Sequence, residues 1–120
     1  MLFSKTIALT SAAAFSSLVQ GATHTVAVGA GGLKFEPAEF KANVGDFVKF
    51  EFYPVVHSVA ESTFDKPCEA LPEGFYSGEF KGSNPPTDSF TIEVNEAGPI
   101  WFFCPTDGHC QGGMSGVING

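Results

Sequence analysis

Apolar and polar residues alternate along several short stretches of this chain, with the two-residue period of a β-strand that buries one face. Residues 46–52 are the clearest case, because Val48, Phe50 and Phe52 fall on one face. Residues 99–103 are apolar throughout, which is typical of a central strand covered on both sides. The sequence therefore predicts strands at residues 25–28, 46–52, 88–94, 99–103 and 116–119.

Glycine, proline and asparagine interrupt the predicted strands, for example at residues 29–32 and 83–86, where turns are expected. Residues 22–120 show no sustained helical period, and the segment 63–82 is expected to be a loop or to contain one helical turn. Several short strands at this spacing predict one all-β domain, built as an antiparallel β-sandwich.

The first 21 residues have the composition of a secretory signal peptide rather than of the folded domain. Lys5 supplies a basic start, an apolar run with many small residues follows over 6–19, and small residues precede a cleavage point after Gly21. A membrane anchor is the alternative, but the run is shorter than the roughly 20 apolar residues that span a bilayer. We therefore expect residues 1–21 to be removed and residues 22–120 to form a secreted domain.

The chain is acidic, with 6 basic and 13 acidic side chains and a formal charge of −7. Loss of Lys5 with the leader leaves 5 basic side chains against the same 13 acidic ones, which gives −8. Such a surface repels phosphate backbones, so we expect no nucleic-acid partner. Only six residues follow Met114, too few for a glycolipid-anchor signal, and we expect a monomer without a stable membrane anchor.

Residues 104–114 bring three metal-binding side chains into one short segment. Cys104, His109 and Met114 follow one another with four residues in each gap, and glycines between them let the segment fold tightly. Sulfur ligands combined with imidazole favour copper, and two histidines with one cysteine and a weakly bound methionine form the blue-copper donor set. The segment therefore predicts a copper site that still needs one imidazole.

His57 is the candidate for the missing imidazole. It follows the predicted strand at 46–52, and a histidine at a strand end can reach a loop from a neighbouring strand. The alternative is a histidine without a metal, but the Cys-His-Met segment favours a ligand. For the axial position, Met114 could instead be a packing residue, with Gln111 as a substitute donor. Met1, the other methionine, leaves with the signal peptide.

The mature chain contains three cysteines, which is an odd number for a secreted protein. Cys110 adjoins His109, so its side chain is expected to point away from the metal and can pair with Cys68. Cys104 then remains a thiol, which bound copper would protect in an oxidising compartment. Pairing of Cys104 with Cys110 is the alternative, and it would destroy the copper site.

His24 offers a second, separate copper site if cleavage falls after Gly21. The mature chain would then begin Ala22-Thr23-His24, and a terminal amine, two amide nitrogens and an imidazole can hold Cu(II) in a square plane. An exposed histidine at the start of the first strand is the simpler alternative. A shift of the cleavage point by one residue would abolish this second site.

The segment 104–114 resembles that of the phytocyanins, the secreted blue-copper proteins of plants. Residues 57–59, 62–68 and 104–114 are more similar still to small extracellular cupredoxins of fungi, and the similarity covers nearly all of residues 22–120. One departure is Ser58, where many blue-copper proteins have asparagine. The resemblance implies a Greek-key β-sandwich with one type 1 copper at one end. The ligands and the disulfide that it implies are His57, Cys104, His109 and Met114, and Cys68 with Cys110.

The function that the resemblance implies is one-electron transfer outside the cell, by a protein that is not an enzyme and whose redox partner is unknown. Three histidines are too few to hold the additional copper cluster of an oxidase. A cysteine hydrolase with Cys104 as its nucleophile would leave Met114 and the disulfide without a role. A non-redox protein that binds or buffers copper, or acts through its surface, is the alternative that uses the same ligands.

Overall fold

The computed structural model describes residues 21–120, so the predicted signal peptide lies outside the described residues except for Gly21. The described residues contain ten β-strands and no α-helix. All five predicted strands are present, and their ends differ from the predicted ends by at most two residues. The strands are β1 (Thr23–Val28), β2 (Phe35–Glu36), β3 (Glu39–Phe40), β4 (Phe47–Phe52), β5 (Val56–His57), β6 (Ala60–Ser62), β7 (Phe80–Lys81), β8 (Ser89–Glu93), β9 (Ile100–Phe103) and β10 (Ser115–Ile118).

Two four-stranded sheets form a sandwich, one in the order β2-β1-β4-β8 and the other in the order β3-β10-β9-β6. The predicted all-β, single-domain sandwich is confirmed. Most strand pairs of the two sheets are antiparallel, as predicted, but β1 pairs with β4, and β3 with β10, in parallel. After β2 the chain crosses into the second sheet as β3 and then returns to the first sheet as β4. A crossover of this kind is what allows two strands of one sheet to run in the same direction.

The two sheets pack against each other through an apolar core. β4 shows the predicted alternation, with Val48, Phe50 and Phe52 fully buried. The ring of Phe50 meets the ring of Phe102 in the opposite sheet edge-on, with centroids 5.4 Å apart, and Phe35 meets Phe102 at 4.9 Å. Such ring pairs contribute about 0.5–1.5 kcal/mol each beyond the area that they bury. Aromatic side chains therefore fix the position of one sheet on the other.

The segment 63–82 is a loop with one short strand and contains no helical turn. Its strand β7 pairs with β5, and Tyr76 bridges to Ala60 at the edge of the second sheet. A covered edge strand is protected from pairing with another chain.

In the part of the chain that the structure describes, no helix is long and apolar enough to cross a membrane.

One end of the sandwich brings together the segments that carry the predicted ligands. β1 and β4 run in parallel toward this end, and β5 follows β4. In the second sheet, β9 runs toward the same end and is joined to its antiparallel neighbour β10 by residues 104–114. A hydrogen bond from Ser58 to Cys104 joins the segment between β5 and β6 to the residue that follows β9 there.

Candidate metal centre

The side chains of His57, Cys104 and His109 converge at this end of the sandwich. Each side chain offers one ligand atom, and the three ligand atoms all lie within 4.8 Å of one another. Cys104 Sγ lies 3.4 Å from His109 Nδ1, and the two imidazole rings have centroids 5.1 Å apart. The fold therefore places three of the four predicted ligands around one point.

Cys104 follows β9 directly, is fully buried and is not part of a disulfide. The backbone amide of Ser58 donates to its Sγ over 3.4 Å, and the Ser58 hydroxyl oxygen lies 3.9 Å from the same sulfur. Hydrogen-bond donors favour the thiolate over the thiol, and the thiolate is the form that binds a metal. The candidate ligand sulfur is thus shielded from solvent and held in a polar contact that suits coordination.

His57 lies in β5 and is 3% exposed. Its Nε2 lies 3.2 Å from the carbonyl oxygen of Pro54, while its buried Nδ1 has no hydrogen-bond partner among the described residues. Burial lowers the pKa of His57 from its ordinary value, because the charged ring loses solvent. The ring is therefore neutral at neutral pH, and one nitrogen keeps a lone pair that a metal can use.

Backbone hydrogen bonds fold residues 104–114 into a compact loop. The Cys104 amide donates to the Met114 carbonyl over 3.1 Å, and the Met114 amide donates to the His109 carbonyl over 3.1 Å. Met114 is fully buried in the core cluster that also contains Cys104, whereas Gln111 is exposed. This difference in burial favours Met114 over Gln111 as the fourth ligand.

A pair of hydroxyl groups links two segments next to the ligand sulfur. Ser58 Oγ and Thr106 Oγ1 lie 2.8 Å apart, which joins the residue after His57 to the ligand loop. The sequence identified Ser58 as a departure from the blue-copper pattern but did not identify Thr106 as its partner. Thr106 carries a hydroxyl group two positions after Cys104, and this was the signal in the sequence that could have indicated the contact.

Gly29 is a further residue of the site that the sequence did not identify. It follows β1 with φ at +80°, and its amide donates to the Lys34 carbonyl over 2.9 Å. A Cβ atom at this position would overlap Nε2 and Cδ2 of the His57 ring. The sequence showed only a glycine-rich turn at 29–32, and no pattern within that turn distinguishes the glycine that touches a ligand.

A disulfide joins Cys68 to Cys110, which is the pairing that the resemblance implied. The alternative bond between Cys104 and Cys110 is not formed, and Cys104 stays a buried thiol. The bridge ties the loop that precedes β7 to the ligand loop across a sequence separation of 42 residues.

Removal of this disulfide is expected to lower the free energy of unfolding by about 4 kcal/mol, because a closed loop of this length restricts the unfolded chain. Denaturation in urea of the double variant Cys68→Ser with Cys110→Ser, compared with the unchanged protein, measures the loss. A loss below about 1 kcal/mol would show that the bridge does not stabilise the fold.

His24 lies at the other end of the sandwich, at the start of β1. Its Nε2 lies 2.9 Å from Asp46 Oδ2, and its ring stacks on Phe40 with centroids 5.6 Å apart. β1 pairs with β4 from Thr23 onward, so a copper chelate through the Thr23 and His24 amides would compete with the sheet. The structure therefore favours a histidine at the start of a strand over an amino-terminal copper site. The His24 ring is not freely exposed, because it contacts Asp46 and Phe40.

A shallow surface depression of about 340 Å³ adjoins the clustered ligands, and both His57 and His109 contribute to its lining. Leu33 and Val55 line it as well and are 43% and 76% exposed. His109 is partly exposed, while Cys104 and His57 are buried. His109 is therefore the clustered ligand that connects the buried centre with the surface.

The donor set of this site fits a copper ion. Buried polar atoms almost always have a partner, so the unpartnered Nδ1 of His57 beside a buried thiol fits a site whose partner is a metal ion. Zinc also binds cysteine and histidine, but its usual protein ligands do not include a thioether. Two imidazoles and a thiolate, together with the thioether that the sequence predicts from Met114, would favour copper.

A family model described as a plastocyanin-like domain matches residues 36–114, which include all four candidate ligands. Two curated proteins of Arthroderma benhamiae are also similar. One, named as a GPI-anchored cupredoxin, is 36% identical over 89 residues, which cover 74% of this chain and 46% of that protein. The other, named as an extracellular serine-rich protein, is 38% identical over 114 residues, which cover 91% of this chain and 43% of that protein. The chain thus spans less than half the length of these two relatives.

The fold has a solved counterpart in reduced auracyanin from the photosynthetic bacterium Roseiflexus castenholzii. The TM-score is 0.62 at 20% sequence identity, and the match covers 84% of this chain and 98% of that one. This likeness supports the cupredoxin fold, and the family match rests on the sequence itself. The chain belongs to the plastocyanin-like cupredoxins.

Proposed function

We propose that this protein binds one copper ion through His57, Cys104, His109 and Met114 and transfers single electrons outside the cell. The observation that carries the proposal is the convergence of a buried thiol and two imidazoles within 4.8 Å. When bound, copper would supply a one-electron couple between Cu(II) and Cu(I). The names of the two Arthroderma relatives, one GPI-anchored and one extracellular, support a location at the cell surface or beyond it.

Each ligand has a distinct part in this function. Cys104 supplies a buried thiolate, and the Ser58 amide donates to its sulfur and tunes the couple. His57 supplies a neutral imidazole whose other nitrogen is held by the Pro54 carbonyl. His109 reaches the surface depression, so its ring gives electrons the shortest path between the buried centre and a docked partner.

The surroundings of the ligands keep them in place. His57 lies in β5, which pairs with β7 in a separate two-stranded sheet, and Cys104 follows β9 of the second sheet. The disulfide from Cys110 to Cys68 fastens the loop 104–114 that carries the other ligands. A site whose donors do not move suits both oxidation states of copper, so little rearrangement accompanies each electron. The apolar rim formed by Leu33 and Val55 would let a partner approach with little loss of hydration.

We also propose an electron carrier rather than an enzyme. The sequence has three histidines, and the structure uses His57 and His109 in one centre while His24 contacts Asp46 at the other end. A second copper centre for oxygen or nitrite chemistry would need further imidazoles that this chain does not carry. Substrate turnover is therefore not expected from residues 22–120.

Rapid reversible electron exchange tests the proposed function. The mature protein with one equivalent of Cu(II) should show a strong visible band that ascorbate bleaches and ferricyanide restores, over repeated cycles in a stopped-flow instrument. The protein without copper serves as the control. A copper-loaded protein whose band does not respond to these reagents would favour copper binding or buffering over electron transfer.

Replacement of Met114 should change the redox potential while the visible band persists. Met114→Leu removes a weak donor without removing volume and should raise the potential by about 59 mV or more, which is tenfold in relative affinity for the two oxidation states. Met114→Gln offers a harder oxygen donor, which prefers Cu(II), and should lower the potential. Equal potentials in both variants and the unchanged protein would show that Met114 only packs in the core.

A further inference from the structure

The amino-terminal end of the described chain contacts a buried carboxylate. The backbone nitrogen of Ala22 donates to Asp46 Oδ1 over 2.9 Å, and Asp46 is only 6% exposed. Ala22 directly precedes β1, and Asp46 directly precedes β4, the parallel neighbour of β1. The contact therefore lies at the sandwich end opposite to the metal centre.

The two carboxylate oxygens of Asp46 have different partners, and Oδ1 accepts the hydrogen bond from Ala22. The second oxygen, Oδ2, accepts from the Asn43 amide over 2.9 Å and lies 2.9 Å from His24 Nε2. These contacts, first the His24 ring, then the Asn43 amide and then the Ala22 amide, lower the pKa of Asp46. The carboxylate is therefore charged at neutral pH, and Oδ1 faces the Ala22 nitrogen.

We propose that the signal peptide is cut between Gly21 and Ala22 and that Asp46 is the receptor for the α-ammonium group created by this cut. Water is the co-reactant: the bond between the Gly21 carbonyl carbon and the Ala22 nitrogen breaks, the carbon keeps the water oxygen as a carboxylate, and the nitrogen leaves as an ammonium group. Folding then places this ammonium against Asp46, and an amide hydrogen bond becomes a buried ion pair.

The position of the cut matters because only one amino terminus completes the pair. A chain that began at Gly21 would keep an uncharged amide at Ala22, and a chain that began at Thr23 would lack the donor nitrogen. The backbone around residue 21 is also tightly packed, because a Cβ atom at Gly21 would overlap the Gly45 carbonyl. Cleavage of the bond before Ala22 removes Gly21 from this closely packed place and creates a positive charge next to the Asp46 carboxylate.

The ion pair and an amino-terminal copper chelate exclude each other. A chelate through Ala22, Thr23 and His24 needs the unprotonated amine as a ligand, whereas Asp46 favours the protonated amine. The His24 ring is also held by the same carboxylate. The structure therefore favours the ion pair, and a copper titration separates the two arrangements.

The first experiment determines the amino terminus of the protein secreted with its own leader, by mass spectrometry of the intact chain. We expect the mass of residues 22–120 with one disulfide. A terminus at any other residue would overturn the proposal, because the ammonium would then not reach Asp46.

The second experiment compares the chain that begins at Ala22 with one that begins at Val19. The added residues move the charged terminus up to about 10 Å away while leaving an amide at Ala22. We expect the unfolding equilibrium constant at pH 7 to be roughly tenfold larger in the extended chain. By linkage, this change requires the pKa of the Ala22 amine to be higher in the folded than in the unfolded chain, because Asp46 stabilises the charged amine.

Two further measurements make the outcome decisive. In a protein that already carries Asp46→Asn, the extension should not change the unfolding equilibrium further. The two changes remove the same interaction, so their effects should not add. If Asp46→Asn does not fold, NMR titration of the Ala22 amine in the unchanged protein still gives its pKa directly. Additive effects, an ordinary amine pKa, or a second bound copper that His24→Ala abolishes would each contradict the ion pair.

Discussion

Replacement of Cys104 by serine is expected to abolish the strong visible band of the copper-loaded protein and to stop its one-electron cycling. The band requires charge transfer from a thiolate, and Cys104 is the buried free thiol among the three clustered ligands. A serine hydroxyl is a hard, weakly acidic donor and does not replace a thiolate as a copper ligand. We expect a loss of the band of more than about tenfold in an optical titration with Cu(II), with affinity lowered by a similar factor.

The double variant Cys68→Ser with Cys110→Ser is the matched control for this substitution. It also replaces a cysteine of the ligand loop, Cys110, by serine, but it leaves the Cys104 thiol in place. This control should retain the band at low temperature, despite its lower stability. A band that survives in Cys104→Ser, or disappears equally in the control, would show that Cys104 is not the ligand.

Replacement of Gly29 by alanine is expected to damage the copper site although Gly29 supplies no ligand. The new methyl group would overlap the His57 ring, which is buried. If the ring yields, His57 moves away from Cys104 and His109. If the turn after β1 yields instead, the ring loses the contact with Gly29 that holds it in position. We expect copper affinity to fall by about tenfold or more, together with a shifted visible spectrum.

Gly31→Ala separates this collision from backbone strain. Gly31 has φ at +83°, almost the same as Gly29 at +80°, but beyond its two neighbours in the chain no described residue lies within 4 Å of a Cβ atom placed there. Both substitutions bear the strain of a left-handed residue, about 1–2 kcal/mol. Only Gly29→Ala should alter the copper spectrum. If the two variants bind copper equally well, contact with His57 does not explain the glycine at position 29.

The periodic parts of the fold were predictable from the sequence. Val48, Phe50 and Phe52 show the alternation of a half-buried strand in the sequence itself, and all three are buried. The chemistry of the site was predictable for a similar reason, because cysteine, histidine and methionine have few roles at such spacing. His57 was harder to assign, since it is distant in sequence from the loop that contains Cys104 and His109.

Relations that depend on crossing from one sheet to the other were not predictable. The parallel pairing of β1 with β4 arises because the chain passes through β3 in the second sheet between them. The contact of Thr106 with Ser58, and that of Gly29 with His57, arise from the same folding of distant segments. No local pattern of propensity or hydrophobicity in the sequence predicts such contacts between distant segments. They can be identified only from the folded structure.

The parallel arrangement of β1 also determines how the domain can be attached to other structures. β1 begins at the end remote from the metal centre, and β10 runs from the ligand loop back to that same remote end. His24 stacks on Phe40, whose strand pairs with β10 at Ile118, so both ends of the described chain lie side by side. A tether at either end, such as a fusion partner or an electrode surface, would therefore point the candidate metal centre away from the attachment and toward the solution.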